Sequence, residues 1–173
     1  MLDATVDASG TTGGGTVRVG GPEAGEGELA TAQNLGVNNG AELSADATQN
    51  GDGGNVVAWS DGTTIFDGQA SATGGPDGGD GGFVEISGSN LDASLSSADV
   101  SAASGENGTV LLDPTAIEIA GGSGTSGGDN TIDFGEGSGT LTMYEDDLEG
   151  FSSDIVLEAT DLIETSGSFG DEW

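Results

Sequence analysis

Apolar positions in this chain recur in short alternating runs separated by glycine, aspartate, asparagine and serine. Two motifs take turns. One is a small-residue run that ends in a turn: Val6-Asp7-Ala8-Ser9-Gly10, Leu43-Ser44-Ala45-Asp46-Ala47, Ala70-Ser71-Ala72-Thr73-Gly74 and Val100-Ser101-Ala102-Ala103-Ser104-Gly105. The other is led by glycine: Gly14-Gly15-Thr16-Val17-Arg18-Val19, Gly53-Gly54-Asn55-Val56-Val57-Ala58-Trp59, Gly81-Gly82-Phe83-Val84-Glu85-Ile86 and Asn107-Gly108-Thr109-Val110-Leu111-Leu112. Short alternating runs bounded by turn formers predict β-strands. No segment carries a convincing helical period. Leu141 to Thr160 is the ambiguous stretch, with Glu145 to Gly150 readable as a helical turn or a loop.

The spacing of the motifs predicts the architecture. Val56 to Val84 is 28 residues and Val84 to Val110 is 26, whereas Val17 to Val56 is 39, with Gly20 to Gly40 read as a loop inserted in one repeat. A period of about 27 residues with two or three short strands suits an all-β solenoid, in which successive coils stack ~4.8 Å apart and equivalent residues form ladders. Val17, Val56, Val84 and Val110 are then expected to form one interior ladder, and Ala8, Ala45, Ala72 and Ala102 to occupy tight interior positions. About six coils would give a rod of roughly 30 Å at that spacing. Residues 1–173 read as one such segment, less regular over 116–173.

Composition sharpens this picture in two directions. Leu, Ile, Val and Phe make up under a fifth of the chain, which with high charge would ordinarily point to disorder; the ordered repeat argues against it. The 31 acidic residues face a single basic one, Arg18, for a formal charge of −30. Without a Lys/Arg patch there is no electrostatic route to a phosphate backbone or an anionic membrane, so neither nucleic-acid binding nor membrane insertion is expected. The excess predicts a salty setting in which counterions screen self-repulsion. The absence of His, Cys and Lys removes the Ser-His-Asp triad, the thiol nucleophile, the Schiff base and His-ligated zinc. No apolar run approaches the ~20 residues that span a bilayer, and the chain reads as a piece of a larger protein whose export signal lies outside it.

The stretches from Ala45 to Trp59, from Gly79 to Gly88 and from Gly108 to Thr115, with Ile155 to Thr160 as a further strand of the series, resemble large exoproteins of the filamentous-haemagglutinin, two-partner-secretion kind. The resemblance runs from Val6 to about Thr165. It implies a right-handed parallel β-helix, exported through a partner barrel in the outer membrane and displayed at the cell surface. The implied role is adhesion, aggregation or biofilm formation, with host or neighbouring-cell glycans or proteins as partners. The near-absence of basic residues departs from the pattern, which puts heparin-type binding in doubt.

Candidate sites are few. Asn50-Gly51-Asp52-Gly53-Gly54 and Asp77-Gly78-Gly79-Asp80-Gly81-Gly82 resemble calcium-binding Gly/Asp turns, making Asp52, Asp77 and Asp80 candidate Ca2+ ligands. They occur about 28 residues apart rather than in tandem, so ordinary tight turns are the competing reading. Glu145-Asp146-Asp147 with Glu149 and Asp154 is the densest acidic cluster, either a solvated loop or a divalent-cation site. Trp59 and Tyr144 are candidate sugar-stacking platforms if they point outward, with packing in the core or at a coil end as the alternative for Trp59. Trp173 is the last residue. Polysaccharide cleavage on a β-helix would need a base or paired carboxylates in an aromatic-lined cleft, and the chain signals none, so no enzyme activity is expected. A structural module that stacks end to end into a scaffold or filament is the remaining alternative.

Overall fold

Alternation sends Val56 and Ala58 to one side of their strand and Val57 and Trp59 to the other, and the same parity recurs in every glycine-led motif. The computed structural model describes residues 1–93, 97–121, 134–135, 140–144, 148 and 153–167. The protein is all-β with parallel sheets. The first sheet takes the starts of three small-residue motifs and the residues just before the fourth: β1 (Thr5–Asp7), β4 (Glu42–Ser44), β6 (Gln69–Ser71) and β8 (Ser97–Asp99), in that spatial order. The second is built from the glycine-led motifs, as β2 (Thr16–Val19), β5 (Asn55–Phe66), β7 (Phe83–Asp92) and β9 (Thr109–Asp113), and adds β13 (Asp154–Leu157). In a third, β10 (Ala116–Ala120) lies between β12 (Thr140–Tyr144) and β14 (Leu162–Ser166), all parallel, with β11 (Phe134–Gly135) antiparallel on β12.

Through the middle of the chain each sheet receives its next strand after 26 to 28 residues. Register is continuous: Val17 pairs Val56, Val56 pairs Val84, Val84 pairs Val110, and Ile155 extends the row beyond Val110. The expected valine ladder is therefore present, and all four valines are buried. A second interior row, Val19, Ala58, Ile86, Leu112 and Leu157, runs beside it. Each fully buried branched side chain contributes roughly 1.5–3 kcal/mol, and identical β-branched shapes stack without voids on a pleated surface.

Two sequence expectations are corrected. Of the four alanines expected inside, Ala45 and Ala72 are fully buried while Ala8 and Ala102 are only half-buried; Ala8, Ala45 and Ala72 share a row whose fourth place belongs to Val100, because Ala72 N donates to the Asp99 carbonyl directly after the Ser71–Asp99 pair. Ala102 instead bridges Gly74. The run from Val100 thus pairs two residues out of step with its likeness to the run from Ala70. A slip of two keeps every side chain on the same face, so the hydrophobic pattern gave no warning. The segment Gly20 to Gly40 is also not all loop: Asn34–Val37 forms β3, which pairs in parallel with Thr63–Phe66 of β5. Most of the extra length lies in the residues before it.

Close backbone approach explains the paired glycines. Gly54 N donates to the Ala45 carbonyl at 2.7 Å, and Gly15 to Ala8, Gly82 to Ala72 and Gly108 to Val100 repeat the bond at 2.7–2.8 Å. Each bond ties the end of a first-sheet strand to the start of the following second-sheet strand. A Cβ on Gly54 would collide with the Gly15 carbonyl of the neighbouring pass, so the corner admits glycine only.

Candidate functional site

The outward face of the first sheet is polar from end to end. One row runs Thr5, Glu42, Gln69, Ser97, and a second runs Asp7, Ser44, Ser71, Asp99. Between them lies a groove of about 240 Å³ lined by Glu42, Ser44, Gln69, Ser71, Ser97 and Asp99. The Ser71 hydroxyl sits 3.1 Å from Ser44 Oγ and donates to Asp46 Oδ2 at 2.9 Å. Hydroxyl, amide and carboxylate groups repeated at the strand spacing offer a linear array of hydrogen-bonding positions, without the apolar walls of a pocket for a small hydrophobic ligand.

Carboxylates at the turns are used to hold successive passes together. Asp46 accepts from Thr73 N at 2.8 Å and from the Thr73 hydroxyl at 3.0 Å. Asp52 accepts from Asp80 N at 2.9 Å, and Asp80 in turn accepts from Glu106 N at 2.9 Å. Asp77 is placed elsewhere on the turn, its amide donating to the Gln49 carbonyl. Among the described residues no group of three or more His, Cys, Asp or Glu side chains is arranged to hold a metal ion. Asp154 stands exposed on β13, while Glu145, Asp146, Asp147, Glu149 and Trp173 lie outside the described residues.

Trp59 and Tyr144 both take the outward parity of their strands and both are half-buried, on different sheets. Trp59 is covered by the segment before β3. Gly21 and Gly25 lie so close to its indole that a Cβ on either would overlap the ring. Its buried Nε1 has no hydrogen-bond partner, and neither does the buried Ser87 Oγ, the next residue along the same outward row. Val57 and Glu85, both fully buried, are neighbours on the adjacent outward row.

Sequence reading missed Glu85 and Asp46. Glu85 has outward parity; its burial comes from a long-range covering segment that leaves no local signal. Burial pushes the Glu85 carboxyl above the usual carboxylate range; the Ala24 amide and the nearby Ser87 hydroxyl partly offset this, and Glu23 and Asp113 add to it. The Ser87 contact is proximity rather than a well-formed hydrogen bond. Asp113 is likewise raised, by burial and then by Glu158, and Asp67 by burial and then by Asp92.

No protein-family model matches the chain, and no curated protein matches it.

Proposed function

We propose that the chain is a right-handed parallel β-helix segment of a secreted bacterial surface exoprotein similar to the filamentous-haemagglutinin type, exported by a two-partner outer-membrane barrel and serving adhesion, aggregation or biofilm formation. The observation that carries this reading is the unbroken register from Val17 through Val56, Val84 and Val110 to Ile155. Parallel strands that each return to the place beside their predecessor, here after 26 to 28 residues through the middle of the chain, are what a solenoid requires. The groove of Glu42, Gln69, Ser71 and Asp99 supplies the adhesive face in this reading. Its partners are neutral glycans or protein segments, since the −30 charge repels polyanions. No catalytic role is assigned. A glycan array tests the reading: binding that disappears in Gln69→Ala and Ser71→Ala supports it, and binding to none of the neutral glycans or surface proteins displayed removes the adhesive half.

A self-assembling scaffold is the second reading, favoured by one observation at the far edge. Ile163 continues the row of fully buried Ile117 yet is 48% exposed, as is Leu162. An apolar row that ends in solvent on an edge strand is a template for further strands. Concentration-dependent light scattering that is abolished by Ile163→Lys would support stacking, and a monomer at all concentrations would exclude it.

A further inference from the structure

The segment between Gly20 and Ala32 closes on itself: Ala32 N donates to the Gly20 carbonyl at 2.6 Å, and Thr31 Oγ1 and Gln33 Nε2 both donate to Asp61 Oδ2, at 2.6 and 3.1 Å. Its base is thereby pinned, in the manner of a compact surface loop whose ends meet. Its tip is the short 3-10 turn Glu23–Gly25, laid over the outward face of β5 and β7. There Ala24 N donates to both oxygens of Glu85, at 3.1 Å each. Ala24 is the one non-glycine with positive φ among the described residues, at +52°, so the turn is held in a conformation that costs energy and needs a compensating contact.

The electrostatics of this contact are adverse. Glu85 is 0% exposed, and a buried carboxylate with one amide donor is under-solvated. Glu23 on the turn and Asp113 on β9 both face it with like charge. The cleft of about 480 Å³ beside the turn is lined by Glu23, Glu26 and Glu28, with Arg18 of β2 as its only cation. Val57, its neighbour on β5, is neutral. Thus an acidic strap lies on an acidic bed, and the bond that holds it down involves the most deeply buried charge in the sheet.

We infer that residues 20–32 form a strap over Trp59 whose closure is set by the charge state of Glu85: shut when the carboxyl is protonated, open when it is ionised. A protonated Glu85 still accepts from Ala24 through its carbonyl oxygen but loses its desolvation penalty and its repulsion by Glu23 and Asp113. Opening requires no strand to separate. It uncovers the indole of Trp59, now packed against Gly21 and Gly25, so the outward face would offer an aromatic surface in one state and not in the other.

The test uses Trp173→Phe, which leaves Trp59 as the single tryptophan of the two. Acrylamide quenching of Trp59 is followed from about pH 4 to 8, a span that brackets ordinary and raised carboxylate titration, in ~10 mM and ~1 M salt, where the Debye length falls from ~30 to ~3 Å. The quenching constant should rise at least about twofold with pH in dilute salt and by less in strong salt, which screens the exposed Glu23 but leaves the desolvation of the buried Glu85 in place. Glu85→Gln should stay low throughout, and Ala24→Pro, which removes the donor, should stay high at every pH. Circular dichroism must be unchanged across the range. A parent protein with pH-independent quenching in dilute salt would overturn the inference. So would a Glu85→Gln variant with the parent's profile, an Ala24→Pro variant with a closed-strap value, or quenching that tracks loss of β-structure.

Discussion

The carboxylate of Asp52 accepts a hydrogen bond from the backbone amide of Asp80, one pass further along the stack, at 2.9 Å. Asp80 repeats the arrangement with Glu106. A carboxylate bonded to an amide is a charge-assisted contact, so these turns hold passes together although their charges repel. Asp52→Ala is expected to lower stability by about 1–2 kcal/mol. Asp52→Asn keeps an acceptor oxygen and removes a charge, and in dilute salt should cost less than half as much. Urea melts separate the two. If Ca2+ raises the melting temperature of the parent but not of Asp77→Asn or Asp80→Asn, the turns are ion sites as well; equal effects on all three would leave them as turns alone.

Gly54→Ala is expected to cost about 1–3 kcal/mol, the range for forced overpacking, because the added Cβ meets backbone of the neighbouring pass rather than a movable side chain. Gly40→Ala should cost less, since its Cβ would meet nothing within 4 Å and only its positive φ of +96° is strained. Equal destabilisation of the two would contradict the corner geometry.

Acidity should stabilise the fold before it harms it. Asp67, Glu85 and Asp113 titrate above the ordinary carboxylate range in the folded protein. The folded state therefore binds protons more readily than the unfolded chain, and stability falls as pH rises from the ordinary carboxylate range through these raised values. Asp7 is lowered, by the Ser9 amide that donates to it at 2.8 Å and then by the Ser9 side chain. Its contribution is present above the ordinary value and lost as pH falls through its own. Melting temperature is expected to rise on acidification from neutral pH and to turn over in stronger acid. A monotonic fall on acidification would contradict the burial of Glu85 and Asp113.

Salt should act in the same sense as protons. Asp92 lies close enough to Asp67, and Glu158 close enough to Asp113, to add to the raising of Asp67 and Asp113. Such pairs fall inside the ~10 Å Debye length at 0.1 M but are largely screened at 1 M, where it is ~3 Å. The melting temperature is expected to climb with sodium chloride over this range. A flat profile would mean that the carboxylates are already neutralised.

The valine ladder was legible in the sequence because Val17, Val56, Val84 and Val110 each follow a glycine pair or its equivalent at a repeated offset. The row containing Val100 was not, because Ser97-Ala98-Asp99 and Val100-Ser101-Ala102 carry the same alternation and only hydrogen bonding separates them. Turn aspartates were visible as Gly/Asp clusters, but the amide donors they satisfy lie one pass away. Glu85 could not be found at all: its local pattern is that of an exposed strand residue, and its burial depends on Ala24, sixty-one positions earlier.

The central claim is the parallel in-register stack, and the absence of native cysteine makes spin labelling its most direct test. Thr16, Asn55, Phe83 and Thr109 form one outward row, each paired with the next. Labels on Asn55→Cys and Phe83→Cys should sit about one strand spacing apart, ~5 Å between backbones, and give strong dipolar broadening; labels on Thr16→Cys and Thr109→Cys should read roughly 14 Å, three spacings. A first pair without broadening, or a second pair beyond ~25 Å, would contradict the stack.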